Sequence, residues 1–210
     1  MPVLPMFPLG SVAVPGMVLP LHVFEERYRR MVRDCLAGDG EFGVVLIERG
    51  SEVGGGDVRT DVGTVARIVR AEQTADGRFA LAAVGVRRVR VDRWLDDDPY
   101  PRAEVSDWPD DVAPAGDDGT DVGADVAGVA ALLRRASALR VELGEPDALV
   151  DVELAEDPST ASFQGTALAP LGPLDKQALL CAGSAEQRLR LLHQMLTDSI
   201  ELLEARLAAG

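Results

Sequence analysis

The chain has one lysine, Lys176, against 20 arginines. That scarcity excludes two chemistries. A phosphate-gripping P-loop needs a lysine directly behind a glycine and ahead of Ser or Thr, whereas Lys176 sits in Pro173-Leu174-Asp175-Lys176-Gln177. A serine–lysine dyad needs a desolvated lysine to activate the serine, and Lys176 reads as a residue on a helix surface. The arginine bias itself reads as the composition of a GC-rich genome. Cysteine and histidine are equally sparse: Cys35 and Cys181, His22 and His193. Neither pair has metal-ligand spacing, so no zinc site is expected, and the cysteines read as small buried thiols of a reducing compartment. No Gly-x-Ser-x-Gly occurs, and no serine has a neighbouring His–Asp pair to activate it. Aromatics make up 4% of residues, so Val, Leu and Ala must build the core. No apolar run approaches the roughly 18 residues of a membrane helix. The first basic residue is Arg27, so no signal peptide is expected and a cytoplasmic location is. The reading is of a non-enzyme with no cofactor, no metal and no membrane partner.

Among 210 residues the net charge is −14. Residues 1–107 hold 14 Arg against 17 Asp/Glu, for −3; residues 108–210 hold 7 Lys+Arg against 18, for −11. The acidic half would repel a phosphate backbone, which disfavours nucleic acid as a general partner.

Residues 4–28 are apolar and punctuated by prolines, with Pro2, Pro5, Pro8, Pro15 and Pro20 in the first twenty positions. Proline fixes φ and removes a donor, so this stretch reads as short edge strands broken by turns. Phe24, Tyr28, Met31, Val32, Cys35 and Leu36 then fall on one helical face, and Gly38-Asp39-Gly40 ends that helix. Residues 42–48 form a buried strand, and residues 50–60, with four glycines, a loop. Asp76-Gly77 between two β-rich runs predicts a hairpin, and Gly85 a bulge. Residues 109–121 are acidic, Pro/Gly-rich and aperiodic. Beyond them Val126, Val129, Leu132, Leu133, Ala136, Leu139 and Leu143 form a helical stripe, Pro170 and Pro173 divide two short helices, and Ser184 to Gln187 match a capping box ahead of a long leucine-rich helix. The domain reading is a β unit at 1–107, an acidic linker at 108–121 and a helical unit at 122–210.

The opening prolines and their spacing resemble the start of the Lon protease N-terminal (LON substrate-binding) domain family. The likeness continues through Val62-Gly63-Thr64, Ala66, Ile68, Asp76-Gly77, Gly85, Arg88, Val91, Tyr100, Ala103 and Val105, and again through Lys176-Gln177, Leu179-Leu180, Arg188-Leu189 and Ile200-Glu201. It covers nearly the whole chain and is weakest over 108–160. It implies an α+β fold: a PUA-like β-pseudobarrel with one early helix, then a helical bundle ending in a long helix. It also implies a stand-alone form of that domain, without the ATPase and peptidase parts.

What the resemblance implies about function is non-catalytic binding of unfolded or extended polypeptide, with a separate protease or chaperone as a further partner. The expected contact surface is Leu19, Leu21, His22, Phe24, Glu25 and Arg27, apolar side chains held between prolines and rimmed by charge. An exposed apolar face here competes with a simpler expectation, that Leu19, Leu21 and Val23 line the barrel. The alternative function is a PUA-like RNA- or nucleotide-binding module using Arg88 and Arg90, which strand alternation puts on one face with Asp92. The remaining candidates read as ordinary structure. Glu25 and Glu26 point about 100° apart on a helix and cannot work as a pair. Asp96 to Asp98 read as a turn, and Gly54 to Gly56 as a loop.

Overall fold

The computed structural model describes residues 1–50, 56–111, 122–145 and 152–209, with the side chains of 122–124 left aside. The chain divides into two compact units, Met1–Pro109 and Asp110–Gly210. The first contains β1 (Val3–Leu9), β2 (Val18–Val23), α1 (Glu26–Ala37), β3 (Glu41–Arg49), β4 (Val58–Gln73), β5 (Phe79–Trp94) and β6 (Arg102–Asp107). The second contains α2 (Val122–Glu142), α3 (Pro158–Leu168), α4 (Pro173–Leu180) and α5 (Ala185–Ala209).

The six strands run in the order β2-β5-β4-β3-β1-β6, and β6 also pairs with β5. Five strands therefore close into a barrel and β2 lies outside the ring. The sixteen residues of β5 make this possible. The first part of β5 pairs antiparallel with β2, from Val18↔Val84 to Val23↔Phe79. Its later part pairs with β6, from Val89↔Asp107 to Trp94↔Ala103. The changeover comes at Gly85, where the β4 register slips. A Cβ on Gly85 would lie 2.3 Å from the Val14 carbonyl oxygen, so only glycine fits this crossing. The β4–β5 hairpin turns at Asp76-Gly77, with Gly77 at φ +82°, as the dipeptide predicts.

Alternation places Phe79, Leu81 and Ala83 of β5 inside with Leu19 and Val23 of β2, under the apolar face of α1. Tyr28, Met31, Val32 and Cys35 of that face are buried as the helical spacing predicts, but Phe24 and Leu36 are exposed. The reason is where the helix starts. Residues up to Val23 belong to β2 and the first helical residue is Glu26, so Phe24 lies on the turn before the helix. Phe7 anchors the same core, 4.4 Å from the Tyr28 ring in edge-to-face contact.

In the helical unit, Val129 and Leu133 of α2 pack with Leu179 of α4 and Leu189, Leu192 and Leu196 of α5. Pro158 and Pro173 each sit in the first turn of their helices, where the missing donor costs nothing. The capping box forms with a one-residue shift. Ser184 accepts from the Gln187 amide at 3.2 Å, while the Gln187 side chain accepts from the amide of Gly183, not of Ser184, at 2.8 Å. Of the predicted linker, residues 112–121 lie outside the described residues; Trp108 and Pro109 belong to the first unit, and Asp110 and Asp111 to the second. Residues 51–55 of the predicted glycine loop also lie outside the description.

Candidate functional site

The passage from β2 to α1 positions the predicted contact residues. Strand alternation sends Leu19 and Val23 inward and Val18, Pro20 and His22 outward. Leu19 is buried, Leu21 is half-buried against the barrel core, and His22 is exposed. Phe24 is 55% exposed, an unusual position for a large aromatic ring. Glu25 is the N-cap residue of α1, but its carboxylate does not cap the helix. It binds the Arg27 guanidinium at 3.1 Å, and Arg27 lies over the Tyr28 ring at 4.5 Å from its centroid. Glu25 and Arg27 are therefore paired with one another, and Phe24 beside them faces solvent.

Two hollows flank Phe24. The larger, about 470 Å³, lies between His22–Phe24 and the β4–β5 hairpin, and is lined by Thr74, Asp76, Arg78 and Phe79 among others. The smaller, about 160 Å³, lies between Phe7–Leu9 of β1 and the segment from Pro20 of β2 to Phe24, with Tyr28 and Glu25 at its sides. Burial pushes the Tyr28 hydroxyl up to about 12. The hairpin's share of the first hollow was not read from sequence. The Asp-Gly turn was visible there, but its closeness to β2 depends on the β2–β5 register. Arg29 packs against the turn: its Nη2 would lie 2.0 Å from a Cβ on Gly77.

The alternative site looks different. Arg88 is only 4% exposed. Its guanidinium donates to the carbonyl oxygens of Trp108 at 2.9 Å and Pro109 at 3.3 Å, and stacks on the Trp108 ring at 4.4 Å. Arg90 stacks on the same ring at 4.4 Å. Alternation put Arg88 on the outer side of the strand, and the chain beyond β6 then covers it. Lys176 is half-buried on α4, not solvated as expected. Its Nζ donates to the Ala167 carbonyl at 2.9 Å and closes the end of α3, and burial, with Arg140 nearby, lowers its pKa. Cys35 is buried as expected, but Cys181 is exposed. Among the described residues no group of three or more His, Cys, Asp or Glu could hold a metal, and no helix is long and apolar enough to cross a membrane.

A barrel with an outlying edge strand, followed by helices ending in a long one, is the fold of solved Lon N-terminal domains. The chain matches the Lon N-terminal domain protein from Xanthomonas campestris with a TM-score of 0.64 and 30% identity, covering 91% of this chain and 97% of that one. It matches the N-terminal domain of Mycobacterium avium complex Lon protease with a TM-score of 0.66 and 23% identity, covering 94% and 99%. The chain belongs to the family of the ATP-dependent protease La (LON) substrate-binding domain, which it matches over residues 3–198. Lon protease 2 of Herpetosiphon aurantiacus is 29% identical over 97% of this chain and 24% of its own length. The chain spans about a quarter of the length of such relatives, in their substrate-binding part and outside their protease domain.

Proposed function

We propose that this chain binds polypeptide without chemistry of its own, capturing unfolded or extended segments as a Lon-type substrate-recognition module in the cytoplasm. The observation that carries the reading is Phe24, a large ring 55% exposed between two hollows in a family of substrate-binding domains. An apolar client side chain entering either hollow removes apolar surface from water on both partners, worth about 25 cal/mol per Å² gross. Ordering of the client offsets much of that, so the affinity is weak and broad. A separate protease or chaperone would take the client onward.

The RNA reading requires two accessible guanidiniums, and Arg88 is already committed to backbone carbonyls and an indole. Salt separates the two readings. Binding of a reduced, carboxymethylated client, followed by fluorescence anisotropy, should change little between low and physiological salt, because burial provides the free energy. Phe24→Asp should weaken it about tenfold or more, a loss of about 1.4 kcal/mol, with an unchanged circular dichroism melt. Tight RNA binding that falls steeply with salt would reverse the assignment.

A further inference from the structure

Among the described residues β2 pairs with β5 alone, and no strand pairs with its other edge. The orientation of its polar groups follows from the ladder. Gly85 donates to the Met17 carbonyl, so the odd-numbered residues of β2 turn their backbone groups toward β5. Val18, Pro20 and His22 turn theirs to the open edge. Proline in this strand is tolerated only with its missing donor on that side, which fixes the same assignment independently. The edge therefore presents three carbonyls and two N–H groups.

The smaller hollow lies along this edge. Its lining includes Phe7, Pro8 and Leu9 in succession, and Pro20 to Phe24 in succession. Consecutive strand residues point to opposite faces. A hollow touched by all of them lies beside the strand backbones, not on either face of the sheet.

We infer, building on the polypeptide-binding reading, that the client is taken as an extended strand added to the open edge of β2, with an apolar side chain seated beside Phe24. An extended backbone matches an alternating row of carbonyls and N–H groups in both spacing and direction, and strand addition is an established mode of peptide capture. The occupant is a foreign segment and not a second copy of this chain. Antiparallel pairing of β2 with its own copy in the fully overlapped register would set Pro20 against Pro20, where neither residue can donate. A foreign segment with an N–H opposite Pro20 loses only Pro20's own donor. Pro20 thus disfavours self-pairing and leaves the edge usable by others.

The test uses the full chain and a labelled nine-residue peptide alternating valine and threonine around a central phenylalanine, read by anisotropy. Two further peptides carry backbone N-methyl groups, one on the even positions and one on the odd. One methylated register should bind about tenfold or more weakly and the other within about twofold of the parent, because only one set of amides faces β2. His22→Pro removes an edge donor without touching the β5 ladder and should weaken the parent peptide about tenfold. Equal effects of the two methylated registers, or full binding by a His22→Pro protein with a native melt, overturn strand addition while polypeptide binding stands. Failure of both the unfolded client and the parent peptide to bind overturns the polypeptide reading as well. A dimer in sedimentation velocity that His22→Pro abolishes assigns the edge to a second copy and overturns the inference. The methylated peptides need no variant, so the test survives if His22→Pro does not fold.

Discussion

The barrel secures its last residues with one arginine and the helical unit secures its first with another, and the two anchors use different acceptors. In the barrel, Arg88 holds Trp108 and Pro109 through neutral backbone carbonyls and the indole face. In the helical unit, Arg188 is 0% exposed and its guanidinium lies 3.7 Å from the Phe163 ring centroid. It grips the Asp110 carboxylate with both terminal nitrogens, at 3.1 and 2.6 Å, and Ser162 with Nε at 2.8 Å. Ser159 adds a hydroxyl to the same carboxylate at 2.8 Å. Removing Arg88 would leave only neutral carbonyls without a partner, at about 1–2 kcal/mol, whereas stripping the partner from a buried carboxylate costs several because a poorly solvated charge remains. The helical unit has therefore tied its beginning to a stiffer and more fragile fastening than the barrel has its end.

The sharpest way to break the comparison is Arg188→Ala. With Asp110 mostly buried, the urea transition of the helices, followed by far-ultraviolet circular dichroism, should lose about 3 kcal/mol. Arg188→Ala with Asp110→Asn should recover part of that loss, since no unpaired charge remains. Arg88→Ala should cost the barrel about 1–2 kcal/mol and shift Trp108 emission to the red. Equal losses in the two units would remove the distinction between the anchors.

Alkali should divide the units in the opposite sense. Both tyrosines and the buried cysteine belong to the barrel. Burial pushes Tyr28 to about 12 and Cys35 to about 12; burial and then the hydrogen bond to Asp34 push Tyr100 to about 12. The folded barrel holds these protons more tightly than the unfolded chain does. Their stabilising effect is complete below the unfolded values, about 8.5 for cysteine and about 10 for tyrosine. It is lost as pH rises through about 12. Raising the pH from about 9 to 12 should therefore melt the barrel before the helices. Tyrosine absorbance measured across the same range should titrate cooperatively with that melt.

The smallest expected effect is Ser184→Ala, which removes the acceptor for the Gln187 amide and should lower the helical transition by about 1 kcal/mol. A thermal melt resolves it, and an unchanged barrel transition is the control.

Much of this architecture was legible because it depends on local spacing. Tyr28, Met31, Val32 and Cys35 announced their helix, Asp76-Gly77 its hairpin, and Pro170 with Pro173 the break between two short helices. What was not legible depends on long-range placement. Phe24 continues the helical pattern in sequence and leaves it in space, because β2 keeps the chain extended through Val23. Arg88 alternates as an outward strand residue, yet residues 108 and 109 return to bury it. Arg188 and Asp110 lie far apart in sequence, and neither carries a local mark of the other. The candidate surface was visible as a segment, 19–27, while its depth comes from the hairpin and from β1, which the β2–β5 register and barrel closure bring near.

Barrel closure also constrains how the protein emerges from the ribosome. Val3, Leu4 and Pro5 of β1 pair with Glu104, Ala103 and Arg102 of β6. The opening residues of β1 must wait for the last strand of the barrel, roughly a hundred residues further along the chain. Until then β1, already paired with β3 through Met6 to Leu9, is an apolar strand with one edge unpaired, of the kind that recruits stray neighbours. Pro5 and Pro8 lie within it and deny such a neighbour two donors. The strand whose last partner arrives latest thus carries its own protection against mispairing.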